Sequence, residues 1–343
     1  IILIINFLIK EEIYKKQYYA YGLDYTAPES EYSLESIREL SNPDYVFEDK
    51  AEMYQVLENW RSKFDYKPVM IFVTVSGGGQ RAALWTLKTL QTADSITNGN
   101  LMKHTMMISG ASGGLIGASY FRELYRQREV QNRDINIYSP EYLKRISNDN
   151  LNPIIFSLLV NDLFINSQQF EYNNISYPKD RGYAFENQLS NNTNGILDLP
   201  LQDYYEDEHL SRVPLVIMAP TIINDGRKLF ISTHGVSYMS TTVESAAELN
   251  NPKIKGVDFN KLFKGQGAEN LRFLSALRMS ATFPYITPNI TLPSQPPMEI
   301  MDAGISDNFG VDDATRFLYS FKDWIAENTS GVILLSIRDS SKD

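Results

Sequence analysis

Apolar runs along the chain predict an alternation of buried strands and amphipathic helices. Val69–Val75 is an almost continuous apolar run rich in β-branched residues, which is typical of a strand buried on both faces of a mostly parallel sheet. Apolar positions over 82–96 and again from Leu115 recur at helical spacing. Further strands are predicted over 105–108, 214–219, 298–301 and 331–337. This alternation predicts a three-layer α/β sandwich around a central, mostly parallel sheet.

Composition divides the chain into an N-terminal flanking segment, residues 1–66, and a main domain, residues 67–343. Residues 1–9 are almost wholly apolar but too few to span a bilayer, which takes about 20 residues. The sequence leaves open whether this run packs on the core or meets a membrane, so the expected location is cytoplasmic or membrane-associated.

A polar stretch rich in asparagine and tyrosine, at about 131–210, interrupts the main domain and is interpreted as an insertion that caps or flanks the site. Residues 154–160 within it are strongly apolar, and a helix of the core is favoured there over an acyl-binding or membrane-facing patch. Beyond the insertion, residues 221–224 and 228–233 predict a hairpin joined at Asp225-Gly226. Residues 271–279 predict a helix.

Charge and composition exclude several classes of function. The net charge of −10 disfavours long-range attraction to nucleic acid. Cysteine is absent, which excludes disulfides, thiol catalysis and cysteine metal sites. The three histidines, His104, His209 and His234, are far apart in sequence and do not have the spacing of a known zinc motif. A zinc enzyme is therefore disfavoured, and the sequence gives no oligomeric state.

Two glycine-rich turns carry the candidate chemistry. Gly110-Ala111-Ser112-Gly113-Gly114 has the G-x-S-x-G form of a nucleophile elbow, in which a sharp strand-to-helix turn exposes a serine hydroxyl. The strand predicted over 69–75 is followed by Ser76 and then Gly77-Gly78-Gly79, whose amides can converge on an anionic oxygen. In a parallel sheet both turns open at the same edge. Ser112 is the candidate nucleophile.

A glycine-rich turn of this kind can also bind a nucleotide, in one of two ways. A P-loop is excluded because the lysine and hydroxyl residue that should close it are missing. Gly77, Gly79 and Ala82 fit a dinucleotide fingerprint, but the tip of the next strand carries Ser112 and its glycines instead of an acidic residue. An oxyanion hole for acyl transfer is favoured over both.

The general base has two candidates. His234 with an acid such as Asp198 or Asp225 would form a conventional triad, although a partly exposed histidine at a strand end is the favoured interpretation of His234. A carboxylate can instead accept the serine proton directly where partial desolvation raises its pKa. Asp302 follows a predicted strand and precedes small residues, so its side chain can enter the same crevice.

Taken together, three segments in this order resemble the patatin-like phospholipase family. They are the glycine-rich loop Ser76-Gly77-Gly78-Gly79-Gln80-Arg81, the elbow Gly110-Ala111-Ser112-Gly113-Gly114, and Asp302-Ala303-Gly304, which is similar to the family's D-G-A/G motif. Residues 280–284 also resemble the family's block of small residues and proline before the aspartate strand. The chain departs from the family where Ala303 replaces the glycine after the aspartate. The similar region runs from about Val69 to Gly310.

The resemblance implies a serine lipid acyl hydrolase of phospholipase A or lysophospholipase type. Ser112 would be the nucleophile and Asp302 the base of a dyad that needs no histidine. This dyad mechanism implies no metal and no organic cofactor. Arg81 would neutralise a phosphate or the intermediate, and the oxyanion would lie on the backbone amides of Gly77, Gly78 and Gly79. A phospholipid or lysophospholipid is the expected substrate, with peripheral contact to a membrane. The alternatives are a Ser-His-Asp carboxylesterase using His234 and a catalytically silent module that binds lipid or a partner.

Overall fold

A four-stranded parallel sheet forms the centre of the fold. The structure, a computed structural model, describes residues 17–157, 168–242, 253–283 and 286–340. The predictions for residues 1–9, 158–160 and position 284 lie outside the described residues.

The strands are β1 Ser30–Glu31, β2 Val69–Val75, β3 Thr105–Gly110, β4 Gln169–Tyr172, β5 Ile175–Pro178, β6 Leu215–Met218, β7 Thr221–Ile222, β8 Lys228–Phe230, β9 Thr241–Thr242, β10 Lys253–Ile254, β11 Gly256–Asp258, β12 Ile290–Leu292, β13 Ser294–Gln295, β14 Met298–Met301 and β15 Gly331–Ile337.

The α-helices are α1 Leu34–Leu40, α2 Pro43–Ser62, α3 Gly79–Ile96, α4 Asn100–His104, α5 Ser112–Glu129, α6 Pro140–Ile146, α7 Leu151–Ser157, α8 Arg181–Asn192, α9 Tyr205–His209, α10 Phe259–Leu262, α11 Phe273–Met279, α12 Gly304–Asp307, α13 Val311–Ser320 and α14 Lys322–Asn328. Short 3-10 turns lie at Leu201–Tyr204, Ser237–Met239, Lys264–Gln266 and Ala268–Asn270.

The register of the central sheet brings the two glycine-rich turns side by side. Its strand order is β15-β2-β3-β6, and all pairs are parallel. Val75, the last residue of β2, pairs with Gly110, the last residue of β3. The loops that follow these two strands therefore begin next to each other at the carboxyl edge of the sheet.

A second, mixed sheet brings the aspartate to the same edge. Its strand order is β11-β8-β7-β14-β12, and it meets the central sheet at an antiparallel bridge between Met218 and Ile231. Met301, at the end of β14, pairs with Thr221, the third residue after the end of β6. Since β6 ends at the carboxyl edge of the central sheet, Asp302 emerges there as well.

Alternate side chains of the central strands supply two separate cores. Phe72 and Met107 face helices α2 and α13, where Trp60 is almost fully buried. Val73 and Ile108 belong to the core on the other face, with side chains of α3 and α5. Helices thus cover both faces of the sheet, and the predicted three-layer α/β sandwich is confirmed.

Several predicted elements agree closely with the structure. The predicted strands over 69–75, 298–301 and 331–337 have the observed bounds, and the strand predicted over 105–108 continues to Gly110. The hairpin around Asp225-Gly226 is confirmed as the antiparallel pair β7 and β8, which are shorter than predicted. In the apolar part of the insertion, residues 154–157 are helical, with Ile154 buried and Ile155 and Phe156 exposed, so α7 presents apolar side chains both to the interior and to the surface. None of the helices in the described part of the chain is long and apolar enough to cross a membrane.

Candidate active site

Ser112 lies on a sharp turn between strand β3 and helix α5. Its φ angle of 50° is in the left-handed region, which a serine rarely adopts unless the surrounding structure imposes it. The Ser112 N–H donates to the carbonyl oxygen of Ser280 at 2.9 Å, which holds the turn in place. The side chain is partly exposed at the first position of the helix. This is the geometry of a nucleophile elbow.

Asp302 follows strand β14 and lies beside the serine. Burial raises the pKa of its carboxyl to about 6, against the opposing effects of hydrogen bonding to the Gly304 N–H and the Ser112 hydroxyl. Its Oδ1 accepts from the Gly304 N–H at 2.6 Å. At a pKa of about 6 the carboxylate is ionised at neutral pH and is still basic enough to accept a proton.

Ala303, where the sequence departs from the family pattern, fits its position without strain. Its backbone has φ −61° and ψ −27°, an ordinary helical conformation that any residue adopts. The Ala303 N–H donates at 3.4 Å to the same Ser280 carbonyl oxygen that accepts from Ser112. One carbonyl therefore fixes the serine turn relative to the aspartate turn. The sequence gives no direct signal for this role of the Ser280 carbonyl. The only indication is that Ser280 belongs to the block of small residues over 280–284.

The glycine loop lies against the serine turn with its backbone. A Cβ added at Gly113 would be 2.5 Å from the carbonyl carbon of Gly79, so the first turn of α5 and the first turn of α3 touch through their backbones. The Gly77 N–H donates to the carbonyl oxygen of Asn308 at 3.1 Å. Helix geometry leaves the first amides of α3 and α5 without intrahelical acceptors. The amides of Gly79 and Gly113 therefore have no acceptor within their own helices, and both glycines line the cavity with Ser112.

Arg81 lies on the outside of the glycine loop. Its guanidinium donates to Oδ2 of Asp339 at 3.0 and 2.7 Å, and its side chain is 71% exposed. The Asp339 N–H in turn donates to the Ser76 hydroxyl at 3.2 Å. Gly78 has φ +145°, and a Cβ there would be 2.8 Å from the carboxyl carbon of Asp339. The arginine and aspartate thus pack against the loop from the side of β15.

The serine and the aspartate open into a mostly apolar cavity of about 710 Å³. Five of the six predicted site residues line this cavity: Gly77, Gly78, Gly79, Ser112 and Asp302. The sixth, Arg81, does not line it. The apolar lining comes mainly from α5, α7, α8, α12 and the loop around 283: Ile116, Leu151, Ile154, Phe185, Leu189, Phe283, Ile286 and Ile305. A cavity of this size and character accommodates a lipid-sized ligand.

The residues considered for a conventional triad have other partners. His234 is 1% exposed, and its Nδ1 lies 2.8 Å from Oε1 of Glu52. The expectation of a partly exposed histidine is therefore wrong. Asp198 pairs with Arg272 at 2.6 Å, and Asp225 pairs with the neighbouring Arg227. Neither His234 nor these two aspartates belong to the lining of the described cavity.

Residues 73–315 match the family described as patatin-like phospholipase. Similar solved structures include a human GIVD cytosolic phospholipase A2 in complex with methyl γ-linolenyl fluorophosphonate, 16% identical, covering 78% of this chain and 43% of that chain, with a TM-score of 0.38. Another is VipD from Legionella pneumophila, 11% identical, covering 71% of this chain and 47% of that chain, with a TM-score of 0.29. No curated protein matches this chain. The chain spans less than half the length of these two structures.

Proposed function

This chain belongs to the patatin-like phospholipase family, whose members are serine hydrolases of lipid esters, and we propose that it cleaves phospholipids or lysophospholipids through an acyl-Ser112 intermediate. The observation that carries the proposal is the strained Ser112 turn beside a carboxylate with a raised pKa, at the wall of an apolar cavity. A serine hydroxyl is a poor nucleophile unless a base accepts its proton. Asp302 is the base that this site offers.

In the proposed first step Asp302 takes the proton from Ser112 Oγ as that oxygen bonds to the ester carbonyl carbon. The carbonyl oxygen becomes an oxyanion, which we place on the amides of Gly78, Gly79 and Gly113 because the Gly77 N–H already donates to Asn308. The N-termini of α3 and α5 both face this charge. The ester bond then breaks, and protonated Asp302 returns the proton to the departing alcohol oxygen.

In the second step water attacks the acyl-serine carbonyl carbon while Asp302 accepts a proton from the water. The tetrahedral intermediate releases a fatty acid, and the proton goes back to Ser112 Oγ. The apolar cavity walls hold the acyl chain in both steps. We assign Arg81 to holding the glycine loop through Asp339, since its guanidinium is bound there and lies outside the cavity wall.

Fatty-acid release from mixed phospholipid and lysophospholipid vesicles, measured across pH with the purified chain, tests the proposed function. The base must be ionised to act, so kcat/KM is expected to fall as pH drops through about 6, the pKa of Asp302, and to level off above it. A fluorophosphonate should label Ser112 with the same pH dependence. A rate that does not change over this pH range would place the base elsewhere. A chain that neither releases fatty acid nor reacts with the probe would favour the catalytically silent module.

Exposed apolar side chains surround the mouth of the cavity, and we propose that they make the contact with the membrane. Phe283 is 62% exposed, Ile305 is 55% exposed and Leu151 is 49% exposed, and all three also line the cavity. Ile155 and Phe156 add exposed apolar surface on the same helix as Leu151. Inserted into the acyl region of a bilayer, these groups would bring the cavity mouth to its substrate.

The double substitution Phe283→Ser with Ile305→Ser is expected to weaken binding to phospholipid vesicles by at least about tenfold, because each large apolar side chain contributes roughly 1.5–3 kcal/mol when fully buried. Cosedimentation in a Ser112→Ala background measures binding without hydrolysis. Phe47→Ser is the matched control, since Phe47 is 74% exposed on α2 and does not line the cavity. Equal losses in both variants would contradict a specific mouth contact.

A further inference from the structure

Two of the three histidines, which are distant in sequence, converge with a glutamate away from the cavity. Glu52 lies in α2, His209 is the last residue of α9, and His234 follows β8. One ligand atom from each lies within 4.8 Å of the other two. We call these three residues the His2Glu cluster. Sequence spacing could not show it, because its members come from three separate elements.

The imidazole nitrogens of the His2Glu cluster are incompletely satisfied. His234 is 1% exposed, and while its Nδ1 lies 2.8 Å from Glu52, its Nε2 has no partner among the described residues. Nδ1 of His209 is buried and has no partner in the same part of the structure. Ring centroids of the two histidines are 5.8 Å apart. Buried polar atoms normally have hydrogen-bond or metal partners. The unpartnered nitrogens of His209 and His234, next to the Glu52 carboxylate, therefore indicate that a ligand binds here.

Neighbouring residues hold the His2Glu cluster in place. The Tyr205 ring stacks on His209 with 5.6 Å between centroids, and its hydroxyl donates to Oε1 of Glu52 at 2.8 Å. The His209 carbonyl oxygen accepts from Nδ2 of Asn59 at 2.8 Å, so α9 is tied to α2. Asn260 donates to the carbonyl oxygen of Ser232 at 2.7 Å, which fixes the segment that carries His234. Such supporting contacts orient ligands in metal sites.

We propose that Glu52, His209 and His234 bind one divalent transition-metal ion, with zinc as the best fit to the donor set. Two neutral imidazoles and one carboxylate are typical zinc ligands, and a fourth position remains for water. Zinc–ligand bonds of about 2.0–2.2 Å in a tetrahedron place ligand atoms roughly 3.4 Å apart. The ligand atoms of the cluster lie within 4.8 Å of one another, and His234 Nδ1 and Glu52 Oε1 are 2.8 Å apart, so small side-chain adjustments bring the three groups to this geometry. Glu52, whose side chain is 30% exposed, has more freedom to adjust than the buried His234.

A second group of clustered acidic residues differs from the His2Glu cluster because a lysine already occupies it. Asp307, Asp312 and Asp313 also lie close together, but Nζ of Lys228 lies 2.8 Å from Asp312 and 2.5 Å from Asp313. An ammonium group already pairs with all three of these carboxylates. Among the described residues no lysine or arginine forms an ion pair with Glu52, whose ion-pair partner is His234. An ion bound in the His2Glu cluster would join α2 to α9 and to the segment after β8. The proposed role is structural and does not depend on the hydrolase activity.

Titration of the chelator-treated full chain with Zn²⁺, and with Co²⁺ as a spectroscopic probe, tests the site. One ion per chain is expected, with a visible Co²⁺ absorption of tetrahedral type and a rise in the thermal midpoint. His209→Gln and Glu52→Gln should each lower the affinity by about 100-fold or more, since each removes a direct ligand. Both positions are partly exposed, so these variants are expected to fold; circular dichroism of the metal-free proteins checks this.

His104→Gln is the matched control, because His104 is the remaining histidine and hydrogen-bonds to Tyr66 outside the cluster. Its affinity and Co²⁺ spectrum should equal those of the parent chain. Parent protein that binds neither ion would overturn the proposal. So would a loss of affinity in His104→Gln as large as that in His209→Gln, which would indicate adventitious binding by surface histidines.

Discussion

Replacing Asp302 by asparagine is expected to lower kcat/KM for fatty-acid release by about 10²–10⁴-fold, the usual contribution of a positioned general base. Asparagine has nearly the same size as aspartate and keeps a side-chain oxygen. That oxygen can still accept the hydrogen bond that the Gly304 N–H donates to Asp302 Oδ1 at 2.6 Å in the parent chain. What it loses is the ability to take the Ser112 proton. The fold should be unaffected, so the thermal midpoint of the variant should stay close to that of the parent chain. Steady-state kinetics on one lysophospholipid substrate measures the change.

Asp225→Asn is the control for this experiment, because Asp225 lies in the turn of the β7–β8 hairpin and pairs with Arg227. It should keep the parent activity. Ser112→Ala sets the lower limit, since the acyl intermediate cannot form without the hydroxyl. Full activity in Asp302→Asn would remove the proposed dyad. Loss in Asp225→Asn instead would identify that carboxylate as the base.

The chemistry of the site was predictable where it depends on local sequence. The family and the serine-hydrolase class are confirmed by the family match over residues 73–315. The glycines around Ser112 indicate the elbow, because a sharp turn with close backbone contacts requires residues without a Cβ. By contrast, the partners of Gly77 and Arg81 were not predictable. Asn308 and Asp339 reach them from segments more than 200 residues away, and no local pattern encodes such contacts.

The same distinction applies to the fold. Strand β2 was predicted with its observed bounds because an almost unbroken apolar run has few alternatives. Helix α5 begins at Ser112 rather than near Leu115. Gly113 and Gly114 disfavour a helix by intrinsic propensity, and tertiary contact with the glycine loop overrides this. The division into residues 1–66 and 67–343 stays a prediction, and the burial of Trp60 against the central sheet shows that α2 shares a core with the main domain.

The backbone contact between the serine turn and the glycine loop leads to the second prediction of large effect, for Gly113→Ala. The added methyl group would overlap the Gly79 carbonyl, so the starts of α3 and α5 must separate. We expect a loss of about 1–3 kcal/mol in the free energy of unfolding, the usual cost of overpacking. We also expect a fall of about 10²-fold in kcat, because a shift of about 1 Å misplaces the oxyanion amides relative to Ser112 Oγ. Chemical denaturation and single-turnover hydrolysis measure the two effects separately.

Gly265→Ala is the matched control for this substitution. A Cβ at Gly265 meets no atom within 4 Å, so the same chemical change there should leave both stability and kcat near parent values. If Gly113→Ala were destabilised but fully active, the amides of the glycine loop would not form the oxyanion hole. If it were as stable as the parent but slow, the misplaced amides alone would account for the loss. The two measurements thus separate the packing role of Gly113 from its role beside the oxyanion.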